Sequence, residues 1–204
     1  MVKIKERFKE SLKDNGGFSL TEFIIVIAII AIMTTASFIT MAVMHGAKAK
    51  EASSSFENSL AEVISLSKNN GVDLNANGTI DVDEESYAIG LRIYKTGGKY
   101  YLQKCVVKHL NGIYSDSGKT ESDPYIKSIN ECSGKGLCLS AYVDIKFYDE
   151  DGNDATADSY IIAFDKRGNC KLGYGVYEFR KASNGDKVSS VRVNRNGSYI
   201  LKKK

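Results

Sequence analysis

Hydrophobic and polar positions divide the first third of the chain into two helical stretches. From Phe23 to Met44 nearly every residue is apolar, and at about 1.5 Å per residue this stretch is long enough to cross a hydrocarbon core of roughly 30 Å. Beyond it, the residues of one face recur every three or four positions: Phe56, Leu60, Val63, Ile64 and Ser67. This spacing predicts one helix from about Ser19 to Lys68, on the order of 75 Å long, whose second half packs one face against a sheet.

From Tyr87 onward the apolar residues alternate with polar ones, as is typical of strands. The predicted strands are Tyr87–Tyr94, Tyr100–Val107, Leu139–Tyr148, Ser159–Phe164, Gly175–Arg180, Val188–Val193 and Ser198–Leu201. Short turns rich in Gly, Asn and Asp separate most of them, so neighbouring strands are expected to form antiparallel hairpins. Residues 111–135 are polar and irregular, which predicts a long surface loop with one helical turn near Tyr125–Ile129.

Charge patterning orients the apolar stretch and limits the choice of partners. The preceding leader has an excess of basic residues, namely Lys3, Lys5, Arg7, Lys9 and Lys13. By the positive-inside rule, this end of a single-pass chain lies in the cytoplasm and the remainder lies outside. The net charge of +3 is too small and too evenly spread to indicate a nucleic-acid surface, so no specific nucleic-acid partner is expected.

The sequence gives little support for catalysis. Its two histidines are His45, on the predicted helix, and His109, in or beside a strand, and each fits a packing or surface role. No strained nucleophile turn surrounds the serines. We therefore expect that the protein is not an enzyme.

A single carboxylate, Glu22, stands at the leading edge of the apolar stretch. A charge held in hydrocarbon costs a few kcal/mol unless a positive group meets it, so an acid in this position indicates a function. Cleavage after Gly17 would give Phe18 a new terminal amine. Between two parallel helices offset along their axes, the amine of one chain can meet Glu22 of the next, which indicates self-assembly.

The segment G-F-S-L-T-E-F-I-I-V-I-A-I-I-A-I resembles the class III signal of type IV prepilins and of the related pseudopilins. In that family the pattern is a glycine, a phenylalanine that becomes the first mature residue, a glutamate at the fifth mature position and an apolar run. The resemblance implies cleavage between Gly17 and Phe18 by a prepilin peptidase, N-methylation of Phe18, and Glu22 as the assembly carboxylate.

The fold implied by the resemblance is α+β and type IV pilin-like, with a long N-terminal helix packed on an antiparallel sheet. Its expected parts are a cleaved leader (1–17), a long helix (18–70) and a globular sheet domain (71–204). The helix comprises a membrane and filament-core half (18–44) and an amphipathic half (45–70). Many pilins have a helix-kinking proline where this chain has Ile39. We therefore expect a smooth helix, or one softened around Thr34, Thr35 and Ser37.

The function implied by the resemblance is that of a structural subunit. The processed chain would leave the membrane and assemble with copies of itself or with other pilins into an extracellular filament for adhesion or motility, as a major or minor pilin. Two alternatives stay open. One is a pseudopilin of a secretion or DNA-uptake system, and the other is a membrane-tethered adhesin or sensor ectodomain.

The stretch D-L-N-A-N-G-T-I-D-V-D-E, residues 73–84, matches the calcium-binding loop pattern D-x-[DN]-x-[DN]-G-x5-E at every defined position. The expected oxygen ligands are Asp73, Asn75, Asn77, the Thr79 carbonyl, Asp81 and Glu84. A strand is expected after the loop, where an EF-hand would have its second helix, and a solvated acidic loop is the alternative. A bound Ca²⁺ would have a structural role at the end of the long helix.

Four cysteines lie in the second half of the chain: Cys105, Cys132, Cys138 and Cys170. Outside the cell an even number of cysteines indicates disulfides, and four allow three pairings that the sequence cannot separate. Cys132 and Cys138 flank a flexible segment and could close locally, which would leave Cys105 with Cys170. A zinc ion held by all four thiolates is the competing hypothesis, although the usual C-x2-C spacing is missing.

Overall fold

The computed structural model describes residues 19–69, Thr79, 87–110, 113–120 and 136–203. The chain divides into two compact units, Met1–Ala42 and Val43–Lys204. The fold is α+β, with one long helix in the N-terminal part and antiparallel sheets in the remainder, as predicted.

Helix α1 runs without interruption from Leu20 to Asn69, which confirms the predicted long helix to within one residue at each end. Its hydroxyl groups donate hydrogen bonds backward to carbonyls of the preceding turn: Thr34 to Ile30, Thr35 to Ala31, Ser37 to Met33 and Thr40 to Ala36, at 2.7–3.0 Å. Because each hydroxyl finds its acceptor inside the helix, polar side chains are accommodated in the apolar stretch without a break. The helix also continues through Ile39.

The described residues after the helix contain ten strands. They are β1 (Tyr87–Thr96), β2 (Lys99–Leu110), β3 (Ile113–Thr120), β4 (Leu137–Cys138), β5 (Val143–Tyr148), β6 (Ser159–Phe164), β7 (Cys170–Leu172), β8 (Gly175–Lys181), β9 (Lys187–Val193) and β10 (Tyr199–Lys203). A first sheet has the order β3-β2-β1-β6-β7, with β4 paired to β2, and a second has the order β10-β9-β8-β5. All pairings are antiparallel.

The structure corrects the prediction for residues 111–135, because 113–120 form strand β3 and not a surface loop. Within the described part of the chain, this strand, I-Y-S-D-S-G-K-T, lies at the edge of the first sheet and pairs with β2 alone, which explains why it lacks apolar alternation. Strand β5 also begins at Val143 and not at Leu139, since a turn precedes it. The predicted helical turn near Tyr125–Ile129 lies outside the described residues.

The core of the second unit forms where α1 packs against the sheets. The buried side chains of α1 in this core are Ala49, Ala52, Phe56, Leu60 and Val63, which confirms a stripe with helical spacing. At its centre, the ring of Phe56 lies 5.1 Å from the ring of Tyr177 and 5.5 Å from that of Phe179. Ile64, which was predicted in the stripe, is only partly buried.

Candidate functional site

Ser19 and Glu22 form a reciprocal pair of hydrogen bonds at the start of α1. The backbone N–H of Ser19 donates to Oε2 of Glu22 at 2.9 Å, and the backbone N–H of Glu22 donates to Oγ of Ser19 at 3.2 Å. The Ser19 carbonyl accepts the first bond of the helix, from Phe23 N–H, so Ser19 is the N-cap. This arrangement is a capping box, and it satisfies two N–H groups that would otherwise have no partner in the helix.

The capping box explains how the chain holds a carboxylate next to an apolar stretch. Glu22 is exposed, and its negative charge lies in the first turn, where the partial positive charge of the helix end stabilises it. Gly17 and Phe18, the predicted processing residues, lie outside the described residues. The role of Ser19 was not predicted, although the pattern S-x-x-E before an apolar run was the signal that could have revealed it.

The apolar half of α1 is uncovered along its whole length. Every residue from Leu20 to Ala42 is exposed, and the large side chains reach 76% exposure at Leu20 and 75% at Phe38. Among the described residues this is the one helix that is long and apolar enough to cross a membrane. An apolar surface of this extent is characteristic of contact with lipid or with other protein chains.

The predicted calcium ligands lie outside the described residues except for Thr79, which is exposed. Within the described ranges no group of three or more His, Cys, Asp or Glu side chains is placed to hold a metal ion. Calcium at residues 73–84 therefore stays a prediction, which a calcium titration of the purified chain would test.

Three of the four cysteines are described, and they lie on different strands of the first sheet. Cys105 is buried on β2, Cys138 is exposed on β4 and Cys170 is buried on β7. Cys105 packs in a cluster on one face of the sheet, whereas Cys170 belongs to the core on the face that meets α1. A Cys105–Cys170 bridge does not fit this placement, and neither does one zinc ion shared by all four thiolates.

Both histidines pack against tyrosine rings. His45 is 8% exposed and its ring lies 4.5 Å from that of Tyr142, while His109 stacks on Tyr114 at 5.2 Å.

A cleft of about 500 Å³ lies between the second half of α1 and the residues around β4. At its rim Lys48 is paired with Glu51 at 2.7 Å.

Residues 12–38 match the protein-family model described as "Prokaryotic N-terminal methylation motif". This range contains Gly17, Phe18, Ser19 and Glu22 and extends into the exposed apolar part of α1. No curated protein and no solved structure matches the chain significantly. The chain therefore carries a prokaryotic N-terminal methylation motif that overlaps the apolar part of a long helix.

Proposed function

We propose that this chain is a type IV pilin-like structural subunit. A prepilin peptidase would cleave it between Gly17 and Phe18, Phe18 would be N-methylated, and the mature chain would assemble with other pilins into an extracellular filament. The observation that carries this proposal is the methylation motif at residues 12–38, which overlaps the first part of a helix whose residues from Leu20 to Ala42 are all exposed.

The exposed half of α1 would have an apolar environment both in the membrane-inserted subunit and in the assembled filament. Before assembly it would lie in the lipid, with the basic leader on the cytoplasmic side and the globular unit on the opposite side. During assembly the same side chains would exchange lipid for the apolar helices of neighbouring chains. Because both surroundings are apolar, this exchange has no large hydrophobic cost, and polar contacts then decide the register of the helices.

Glu22 would set that register together with Phe18 of a neighbouring chain. A carboxylate can accept about four hydrogen bonds, and in the capping box Glu22 accepts one of them, from Ser19 N–H. Glu22 can therefore keep its place at the start of its own helix while it accepts the terminal amine of an adjacent chain. Burial of either charge alone would be costly, so the pair favours assembly over a single chain.

Mass spectrometry of the mature N-terminus tests the proposal. The protein isolated from its native cells is expected to begin at Phe18 and to carry a methyl group on the terminal amine. A chain that keeps its leader and occurs singly in the membrane would contradict the proposal and favour a tethered adhesin or sensor.

Substitution of Glu22 tests the assembly step separately. Glu22→Ala is expected to leave membrane insertion intact and to reduce the amount of filament strongly, whereas Glu57→Ala, which removes a carboxylate farther along α1, should leave it unchanged. Normal filament yield from Glu22→Ala would contradict the role of this carboxylate. Filaments that reach the cell surface support a pilin, and short assemblies confined to a secretion or DNA-uptake system support a pseudopilin.

A further inference from the structure

Strand order separates Cys105 from Cys170. Strands β1 and β6 lie between β2, which carries Cys105, and β7, which carries Cys170. The row of paired residues runs from Cys105 through Gly90 and Ala163 to Leu172. Three strand spacings of about 4.8 Å put the backbones of Cys105 and Leu172 roughly 14 Å apart. Cys170 lies two residues from Leu172 on β7, outside this row, so it is no closer to Cys105. A disulfide requires Cα atoms within about 7 Å, and these two side chains also lie on opposite faces of the sheet.

Strand register separates Cys138 from both of the others. Cys138 pairs with Tyr101 on the edge of β2 that faces away from β1, so it lies farther from β7 than Cys105 does. Cys105 is four residues along β2 from Tyr101, a distance of about 14 Å at 3.4 Å per residue. The Sγ of Cys138 donates a hydrogen bond to the carbonyl of Leu139 at 3.2 Å, and the neighbouring Cys138 side chain raises the pKa of Tyr101.

Cys170 is a thiol inside the core. It is 3% exposed, and its Sγ donates a hydrogen bond to the carbonyl of Leu172 at 3.2 Å. Burial is the main cause that raises the pKa of Cys170 to about 12. Since the thiolate is the species that attacks a disulfide or an oxidant, this group is both inaccessible and unreactive in the folded chain.

We propose that one folded chain contains at most one intrachain disulfide, that Cys132 is a member of any such bridge, and that Cys170 remains a thiol. The first two statements follow because Cys105, Cys138 and Cys170 lie too far apart to form a disulfide with one another. Any intrachain bridge must therefore include Cys132, and one cysteine can form only one bridge. The proposal limits the number of intrachain disulfides to one, and it also holds for a chain in which all four cysteines are reduced. It rests on the sheet register and on the burial of Cys170, and it is independent of the proposed function.

The consequence is that the globular unit is held together by packing and not by a disulfide framework. Small exported domains often need several bridges because their cores are too small. Here the aromatic side chains around Phe56 and a face of α1 supply a continuous core. Reduction is therefore expected to leave the fold intact.

The test is a map of the thiols in the full-length chain, isolated from its native cells in detergent. The protein is denatured without reductant, alkylated with iodoacetamide and digested, and the monomer band is analysed by mass spectrometry. At least two alkylated cysteines are expected, and Cys170 is always one of them. In Cys132→Ser, three alkylated cysteines and no intrachain bridge are expected. Cys170→Ala is the matched control, and it should keep the cross-links of the unsubstituted chain.

Three results would overturn the proposal. They are a peptide that links any two of Cys105, Cys138 and Cys170, a bridge between Cys132 and Cys170, and an intrachain bridge that persists in Cys132→Ser. If a variant fails to fold, the map of the unsubstituted chain still tests whether there is more than one bridge and whether Cys170 is a thiol. A chain that begins at Phe18 but contains two bridges would contradict this inference and leave the proposed function intact.

Discussion

At the scale of single residues, Ser19 determines where the Glu22 carboxylate lies. The two residues exchange hydrogen bonds at 2.9 and 3.2 Å, so the carboxylate stays beside the first turn of α1 and does not extend into the apolar surface. The Ser19 N–H belongs to a peptide bond with Phe18, and this bond survives cleavage after Gly17. The capping box is therefore compatible with both the precursor and the mature chain.

We predict that Ser19→Ala reduces filament assembly and that Ser19→Thr preserves it. Loss of an N-cap hydroxyl costs about 0.5–2 kcal/mol, and threonine restores the acceptor. Without the cap the carboxylate of Glu22 is no longer fixed at the helix start, so fewer chains present it to a neighbouring amine. The measurement is the ratio of sheared filament to membrane-bound subunit, and a lower ratio is expected for alanine only.

Processing has to be measured in the same cells, because Ser19 lies close to the predicted cleavage site. Both variants are expected to begin at Phe18 in the same proportion as the unsubstituted chain. If Ser19→Ala assembles normally, or if its defect is explained by uncleaved precursor, Ser19 does not act through Glu22.

The difference between Glu22 and Ser19 shows what sequence can reveal at this scale. A lone carboxylate next to an apolar run is conspicuous, because its cost in hydrocarbon is large. A serine in the same place is not, because its hydroxyl can be satisfied in many ways. The backbone N–H of Ser19, the local partner of Glu22, was therefore not predicted, although the S-x-x-E pattern indicates it.

At the scale of elements, two glycines with the same backbone conformation have different surroundings. Gly98, in the β1–β2 hairpin, has φ of 74°, and Gly197, in the β9–β10 hairpin, has φ of 76°. A Cβ atom on Gly98 would have no atom within 4 Å, whereas one on Gly197 would clash with the carbonyl oxygen of Gly168. The second turn thus packs against the turn between β6 and β7 so closely that no side chain fits.

We predict that Gly197→Ala lowers the free energy of unfolding by more than Gly98→Ala does. Left-handed backbone costs alanine about 1–2 kcal/mol, and this cost is common to both variants. Only Gly197→Ala must also displace the carbonyl of Gly168. The difference in destabilisation between the two variants therefore measures the contact between the two turns. Urea unfolding of the purified chain, followed by circular dichroism, gives both values, and equal destabilisation would show that the turns do not pack as described.

Elements with strong local patterns were predicted, and those that depend on distant partners were not. Strand β6 was predicted with its observed bounds because S-Y-I-I-A-F lies between clear turn residues. Strand β3 was missed because its polar residues gain strand structure only by pairing with β2. Strands β4 and β7 are too short for an alternating pattern. The cysteine placement was also unpredictable, because it depends on the order of non-consecutive strands.

At the scale of the whole molecule, helix α1 has two apolar surfaces with different coverage. The surface around Phe56 is buried by the sheets of the same unit. The surface from Leu20 to Ala42 has no cover within the described residues. The amphipathic pattern of the second half and the apolar pattern of the first half predicted this contrast, since only a helix with a polar face can rest on a sheet in water.

We therefore predict that a chain reduced to residues 43–204 is a soluble, folded monomer, whereas the chain beginning at Phe18 requires detergent. The truncation removes the exposed apolar surface and keeps the helix face that completes the core. Size-exclusion chromatography and circular dichroism without detergent provide the measurement. As a control, Phe56→Ala in the truncated chain should lower the free energy of unfolding by about 3–5 kcal/mol, because it empties the centre of the core. Aggregation of the truncated chain, with Phe56 intact, would mean that residues 18–42 are needed for the fold itself and not only for lipid and neighbouring subunits.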